Sequence, residues 1–276
     1  MNASTHSQNL EDKLMIFLAS IGNTNLTYGL FQQEIITVKR YPIQKLSDQH
    51  DIENLYSSLL LKHNLDNSQI EGTAITSVVP EKTSLLLDTL GKLTSSEPFF
   101  VSAQTDLGID FSEYSGVIGI DRLLCCSAAF KKYKPPFIVI DFGTATTLNV
   151  INQTGAFIGG VILPGVSTGL QALASKTSLL QSISFTHPKS VIGKNTAECM
   201  LSGATYGNAA MIEGLVKRIQ QEQGDANSVI VTGGNADNVI AYCDMEVNVE
   251  PNLLLEGLAT QYMRQKIEDL NKEVTI

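Results

Sequence analysis

The residue types that could do chemistry are concentrated near the middle of the chain, from Val139 to Val150. An apolar run rich in β-branched residues ends in Asp141, Gly143 follows, and three of the next four residues are threonines. This order is typical of a strand, a tight turn and a returning strand. Gly143 would let a ligand approach the backbone, the hydroxyls and turn amides can bind an anion, and Asp141 can hold a cation beside it. The stretch therefore predicts a phosphate-binding hairpin, or else a plain hairpin whose threonines serve strand propensity.

A similar arrangement occurs near the start of the chain. The apolar run Leu14–Ala19 leads into Ser20-Ile21-Gly22-Asn23-Thr24-Asn25, and Leu26–Phe31 follows as a second apolar run. Both turns contain a glycine followed by a threonine. Two such hairpins far apart indicate a pseudo-duplicated protein, in which each half opens with a phosphate-facing hairpin.

A third candidate is Gly119-Ile120-Asp121-Arg122, which precedes the apolar, helix-like run 123–129. Asp121 is expected in the first helical turn, where the helix dipole favours a carboxylate and backbone amides are exposed. The pattern alone leaves two interpretations open. Asp121 is either a reactive acid or an acid that only stabilises the helix.

The remaining segments alternate between predicted strands and predicted helices, which favours an α/β fold. We expect a disordered leader over 1–13, one domain over 14–132 and a second over 133–276, divided at the basic, proline-containing segment 131–136. The glycine-rich segment 159–165 is predicted to be a loop. The segments 170–180 and 197–220 are predicted to be helices, and the small residues of the second could face either a subunit interface or the core.

Composition excludes several functional classes. The 276 residues carry a formal net charge of −9, which argues against a nucleic-acid-binding surface. The four cysteines lack zinc-site spacing, and adjacent Cys125 and Cys126 are expected to be buried thiols. No signal core or membrane-spanning run is present, so the prediction is a cytoplasmic protein without a membrane partner.

Together these motifs resemble, in type and in order, those of the type III pantothenate kinases. The similarity covers nearly the whole chain from Leu14. The matching segments are Ser20-Ile21-Gly22-Asn23-Thr24, Ser77-Val78-Val79-Pro80, Gly119-Ile120-Asp121-Arg122, Asp141-Phe142-Gly143-Thr144-Ala145-Thr146-Thr147, Gly159-Gly160 with Pro164-Gly165, Gly193-Lys194-Asn195-Thr196, and Thr232-Gly233-Gly234.

The resemblance implies a fold and a reaction. The fold would be two ribonuclease-H-like domains, as in actin-like ATPases, with a nucleotide cleft between them and a homodimer with a shared active site. The reaction would be transfer of the ATP γ-phosphoryl group to pantothenate, which opens coenzyme A synthesis, with Mg²⁺ and a monovalent cation (K⁺ or NH₄⁺) as cofactors.

The resemblance also implies residue roles. Asp121 would be the general base, Asp141 would bind the monovalent cation, and Thr196 would reach pantothenate from the partner subunit. The other substrate-binding positions would be Gly119, Ile120, Arg122 and Tyr114. The nucleotide would be contacted at Ser20, Gly22, Asn23, Thr24, Gly143 and Thr144. Two alternatives remain open at this point: Arg122 could form a structural ion pair with Asp121, and Thr196 could be a helix N-cap.

One position departs from the family pattern. Ser20 stands where the family's first hairpin has an aspartate near the ATP phosphates and the solvated magnesium ion. Loss of that charge should weaken positioning of the nucleotide and its metal. The sequence therefore predicts an active pantothenate kinase and leaves two alternatives: a catalytically degenerate member acting as a binding or regulatory protein, and a related kinase for another small hydroxyl compound.

Overall fold

The computed structural model describes residues 14–94, 96–177, 179–223 and 228–274. The expected leader, 1–13, lies outside the described residues. The chain divides into two compact units. Unit 1 contains the chain up to Gly108, then Val117–Ala128 and the chain from Asn252 onward, and unit 2 contains Ile109–Gly116 and Ala129–Pro251.

Unit 1 is built on a five-stranded sheet in the order β3-β2-β1-β4-β5. Strands β1, β2 and β3 form an antiparallel meander, whereas β4 runs parallel to β1 and β5 runs parallel to β4. The strands are β1 (Ile16–Ile21), β2 (Asn25–Gln32), β3 (Glu34–Pro42), β4 (Gly72–Ser77) and β5 (Phe99–Val101). Strand β1 is fully buried, as expected for a central strand covered on both faces.

Four helices and two short 3₁₀ turns accompany this sheet. The helices are α1 (Gln49–Lys62), α2 (Pro80–Thr94), α3 (Ile120–Lys132) and α8 (Leu253–Val274), and the 3₁₀ turns are Ile43–Lys45 and Asn67–Gln69. Helix α1 begins at a capping box formed by Asp48 and Asp51. Its buried residues, together with Phe17, Leu30 and Leu90, belong to the core of the unit.

Unit 2 repeats the sheet of unit 1. Its five strands lie in the order β8-β7-β6-β9-β10. Strands β6, β7 and β8 form an antiparallel meander, whereas β9 runs parallel to β6 and β10 runs parallel to β9. They are β6 (Phe137–Phe142), β7 (Ala145–Ile151), β8 (Phe157–Pro164), β9 (Ser228–Thr232) and β10 (Asn248–Val249). The accompanying helices are α4 (Val166–Lys176), α5 (Thr196–Ser202), α6 (Asn208–Gln223) and α7 (Ala236–Ile240), with a π-helical segment, Gly203–Gly207, between α5 and α6.

The shared strand order confirms the predicted duplication. In each unit a three-stranded antiparallel meander continues, through its first strand, into two parallel strands. Both meanders begin with the hairpin that the sequence singled out. The α/β class with two ribonuclease-H-like units is therefore confirmed.

The division into units differs from the ranges expected from the sequence, 14–132 and 133–276. The last helix, α8, belongs to unit 1, where the ring of Tyr262 covers Gly72 of β4 so closely that a Cβ on Gly72 would overlap the phenol oxygen. Burial, with a smaller effect from Glu71, raises the pKa of Tyr262 to about 12. A linear boundary could not anticipate a return of the chain, because the packing partner of α8 is far away in sequence.

Two predicted elements need correction. Segment 159–165, predicted to be a loop, lies largely within strand β8, whose Gly160 (φ +159) has no room for a Cβ beside the carbonyl group of Leu148. Gly160 therefore permits close strand pairing. The helix predicted over 170–180 is α4, which starts earlier, at Val166, and ends at Lys176. Within the four described stretches of chain, no helix has the length and apolar composition needed to cross a bilayer.

Candidate active site

The first hairpin places Ser20 on the central strand of unit 1. In register, Ser20 lies between Thr27 of β2 and Thr76 of β4, so three hydroxyl side chains cross the sheet in one row. Ser20 is only 4% exposed. A carboxylate at this position would lose most of its hydration unless a cation compensated for it.

The turn of this hairpin contains Gly22, Asn23 and Thr24. The Gly22 amide donates to the Asn25 carbonyl oxygen at 2.9 Å, and the Thr24 carbonyl accepts from the Ile43 amide at 2.9 Å. The side chains of Asn23 and Thr24 are exposed. The Gly22 amide thus stabilises the turn, and the contact of this turn with a nucleotide stays a prediction.

Asp121 lies in the first turn of α3, as predicted. Its Oδ1 accepts the amide of Arg122 at 3.0 Å, and the same amide donates to the Gly119 carbonyl at 3.1 Å. A Cβ on Gly119 would lie 2.5 Å from Asp121 Oδ1. The missing side chain of Gly119 therefore leaves the space in which the carboxylate is held.

The neighbours of Asp121 differ in their surroundings. Ile120 is 5% exposed and lies in the core. Arg122 is half-buried, and its positive charge partly offsets the effect of burial on Cys126, whose pKa is raised to about 12 by burial. At positions 119–122, the side chains that can reach a ligand are thus those of Asp121 and Arg122.

The second hairpin places Asp141 on the central strand of unit 2, between Thr147 of β7 and Thr232 of β9. This row is equivalent to the Ser20 row of unit 1, with a carboxylate in place of the serine hydroxyl. The Gly143 amide donates within its turn to the Ala145 carbonyl at 3.2 Å.

The Thr144 carbonyl is also held within unit 2. It accepts from the Gly165 amide at 3.1 Å and from Thr168 Oγ1 at 2.7 Å. A Cβ on Gly165 would lie 2.6 Å from this carbonyl oxygen. The start of α4 therefore fixes the hairpin turn, which explains the glycine of the Pro164-Gly165 motif.

Gly233 completes the surroundings of Asp141, a role that the sequence analysis missed. Its φ is +99, and a Cβ there would overlap Asp141 Oδ1 and lie 2.5 Å from the Phe142 nitrogen. A Cβ on Gly143 would lie 3.6 Å from the same oxygen. In the sequence, the signal for this role is the Thr232-Gly233-Gly234 motif, which is part of the family resemblance.

These bare backbones leave the Asp141 carboxylate in a cradle that side chains would fill. A carboxylate with threonines beside it on both neighbouring strands offers oxygen ligands of the kind that a hard cation takes. Among the described residues, no group of three or more His, Cys, Asp or Glu side chains could hold a metal ion. Asp141 is thus the carboxylate of this hairpin whose chemistry suits a bound cation.

Tyr114 and Thr196 lie elsewhere in unit 2. The Tyr114 ring meets Phe157 edge-on at 5.5 Å between centroids, next to Gly159, whose φ is +125. Thr196 is exposed at the start of α5. Asn195, and not Thr196, caps that helix, because its side chain accepts the Glu198 amide at 3.0 Å. The N-cap interpretation of Thr196 was therefore wrong.

The repeated sheets and paired hairpins define an actin-like ATPase fold. Among solved structures, the chain is similar to the activator of 2-hydroxyisocaproyl-CoA dehydratase from Clostridium difficile with bound ADPNP (TM-score 0.57, 14% identity, covering 94% of this chain and 98% of that one). It is also similar to a putative Baf family transcriptional activator from Campylobacter jejuni (TM-score 0.54, 17% identity, 94% and 99% covered). At these identities the likeness establishes the fold alone.

The family follows from sequence similarity. The family model described as type III pantothenate kinase matches residues 16–218. A protein of Roseiflexus sp. (strain RS-1) named type III pantothenate kinase is 38% identical to this chain over 255 residues, which cover 90% of this chain and 98% of the relative. A protein of the same name from Bacillus cytotoxicus is 34% identical over 258 residues, which cover 92% of this chain and 97% of the relative. The chain belongs to the type III pantothenate kinase family.

Proposed function

We propose that this chain transfers the γ-phosphoryl group of ATP to the primary hydroxyl of pantothenate, giving 4'-phosphopantothenate, the opening step of coenzyme A synthesis. Family membership over nearly the whole chain supports this activity. The observation that carries it is the Asp121 carboxylate, held at the start of α3 in space left by Gly119. Because the reaction consumes ATP, we place it in the cytoplasm.

Asp121 would act as the general base. Phosphoryl transfer depends mainly on positioning and charge neutralisation, so one carboxylate within reach of the attacking hydroxyl is sufficient to accept its proton. Arg122 would hold the pantothenate carboxylate, since a guanidinium can bind a carboxylate through two parallel hydrogen bonds. Ile120 could contribute only backbone atoms, because its side chain lies in the core. Tyr114 would pack against the substrate.

The two hairpin turns would contact the nucleotide, and Asp141 would hold the monovalent cation, K⁺ or NH₄⁺. Bound cations would neutralise charge on the phosphates. Mg²⁺ commonly keeps several waters and is bound through one or two carboxylates plus substrate phosphates, so the ATP phosphates would supply much of its coordination here. Ser20 supplies a hydroxyl where the family pattern has a carboxylate.

The test is pantothenate-dependent ADP release by the purified chain with ATP, Mg²⁺ and K⁺. Asp121→Asn should reduce kcat by about 10²–10⁴-fold, the usual contribution of a general base. A wild-type protein that binds pantothenate without turning it over would support the degenerate alternative, which neither the fold nor the relatives favour. Turnover of another hydroxyl compound instead of pantothenate would support the related-kinase alternative.

We further propose that the chain acts as a homodimer whose active sites are shared. Large hydrophobic side chains are exposed across one stretch of unit 2: Leu173, Leu179, Val191, Ile192 and Met211, between 37% and 90% exposed. Exposed apolar groups of this kind favour a protein interface. Thr196 lies within the same stretch, so a partner covering it would bring Thr196 towards a second site.

Subunit complementation tests this arrangement. Thr196→Ala and Asp121→Asn are each expected to lose most activity as separate homodimers. After mixing and subunit exchange, hybrid dimers would contain one site with both native residues, so activity should return towards a quarter of wild type. A monomer in sedimentation, or no recovery after proven exchange, would contradict the shared site.

A further inference from the structure

The last helix, α8, lies beyond the segment matched by the family model, which ends at residue 218, yet it packs directly against α3. Gly257 of α8 faces Leu124 of α3. A Cβ on Gly257 would overlap the Leu124 carbonyl oxygen and lie 2.9 Å from the carbonyl carbon. Because these are backbone atoms inside a helix, a methyl group at residue 257 could fit only if one helix moved.

A buried hydrogen-bonded chain reinforces this contact one turn further along α3. Gln261 Nε2 donates to Ser127 Oγ at 3.1 Å, and Ser127 Oγ donates to the Leu107 carbonyl at 3.0 Å. Gln261 is 3% exposed and Ser127 is 5% exposed. Buried polar groups are costly to leave unpaired, so this chain should hold α8, α3 and the segment at Leu107 in one arrangement.

Helix α8 is itself fixed to the rest of unit 1. Tyr262 covers Gly72 of β4, and Arg264 clamps the turn that follows β5. Arg264 Nη1 donates to the Asp106 carbonyl at 3.0 Å and Nη2 to Asp106 Oδ2 at 2.6 Å. Asp106 Oδ1 in turn accepts the Gly108 amide at 2.8 Å. Helix α8 is therefore held within unit 1 by contacts other than those with α3.

We propose that Gly257 and Gln261 are positioning residues for Asp121. Leu124 lies three residues after Asp121, a rise of about 4.5 Å along a helix, so a shift of α3 at Leu124 is transmitted to the carboxylate. Gly257 sets how closely α3 approaches α8, and Gln261 fixes α3 along its axis through Ser127. The inference rests on the proposed role of Asp121 as base and extends that function to residues of a second helix.

The experiment compares Gly257→Ala and Gln261→Leu with the matched control Gln265→Leu. Gln265 lies on the same helix, and within the described part of the chain its side chain donates to Asp269 Oδ1, one turn along that helix, at 2.8 Å. Gly257→Ala is expected to lower kcat at least tenfold, because errors of about 1 Å in a reacting group can cost 10²-fold. Gln261→Leu should lower kcat by roughly threefold to tenfold, given the size of one buried hydrogen bond. The KM for ATP should stay constant in both, and Gln265→Leu should match wild type.

A double-mutant cycle separates positioning from a general structural defect. In an Asp121→Asn background, Gly257→Ala should have no further effect on kcat, because the group that it misplaces is already absent. An equal loss in both backgrounds would overturn the proposal. If Gly257→Ala does not fold, the same cycle is made with Gln261→Leu.

Failure of the proposed function would be recognised separately, as absence of pantothenate turnover in the wild type. The positioning inference is then decided by hydrogen exchange of the Arg122 and Leu123 amides, which bond to the Gly119 carbonyl. Faster exchange in Gly257→Ala than in Gln265→Leu supports the inference. Equal exchange in the two variants overturns it.

Discussion

Gly119→Ala should separate activity from stability at the proposed base. A methyl group on residue 119 would lie 2.5 Å from Asp121 Oδ1, whereas ordinary van der Waals contact begins at 3.4 Å. The carboxylate must therefore retreat by about 0.9 Å. The atom that moves is the end of a side chain and not backbone, so the variant should fold.

The size of the effect follows from this displacement. A misplacement near 1 Å can cost about 10²-fold in rate, which corresponds to about 2.7 kcal/mol of transition-state stabilisation. Stability should change by less than about 1 kcal/mol, because Gly119 is not in the left-handed region of φ and alanine reduces the entropy of the unfolded chain. We thus expect kcat to fall about 100-fold with an almost unchanged Tm.

Steady-state ADP release and thermal unfolding of the same preparation provide the measurement. Gly214→Ala is the matched control, because a Cβ there meets only the flexible end of Arg218, at 3.2 Å. The control should keep wild-type kcat. A Gly119→Ala enzyme with wild-type kcat would refute the reasoning that the space beside residue 119 holds the base in place.

Three further predictions concern Gly233, Ser20 and the cysteines. Gly233→Ala should lower the free energy of unfolding by about 2–4 kcal/mol, because the φ of +99 is strained for alanine and the added Cβ would overlap Asp141. A wild-type Tm in thermal unfolding would contradict this. Ser20→Asp should lower Tm increasingly as pH rises above about 4, since burial raises the carboxyl pKa and disfavours its charged form. Added Mg²⁺ and ATP should restore Tm more in Ser20→Asp than in wild type, and an equal response would count against a metal site there. In native protein at pH 8, a thiol reagent should modify the exposed Cys199 rapidly. Cys126 should react only on unfolding, because it is buried and its pKa is about 12. The variant Cys199→Ser should therefore lack the fast phase of modification.

Much of the fold could be predicted from the sequence because its signals are local. The β-branched run ending in Asp141 predicted a buried strand, and Ile138, Val139 and Ile140 are completely buried. The first-turn position of Asp121 followed from the apolar run after it. The repeated glycine–threonine turns predicted the duplication, which the matching strand orders confirm.

One prediction was wrong because the role of the residue depended on a neighbouring strand. The glycines of 159–165 suggested a loop, but Gly160 permits close approach of a neighbouring strand. The nucleotide-binding role of the first turn stays a prediction, although the Gly22 amide donates to the Asn25 carbonyl within that turn. Of the two interpretations left open for Thr196, the N-cap is excluded because Asn195 caps the helix, and the pantothenate-binding role stays a prediction.

The sequence by itself determined which residues are candidates for the chemistry, because glycines, carboxylates and threonines at fixed spacings constrain nearby backbone and ligand groups. Tertiary structure alone decided what holds those residues in place. Gly233 meets Asp141, and Gly257 meets Leu124, across separations of 92 and 133 residues. Such contacts depend on the close packing of strands and helices, and this packing leaves no periodic signal in the intervening chain.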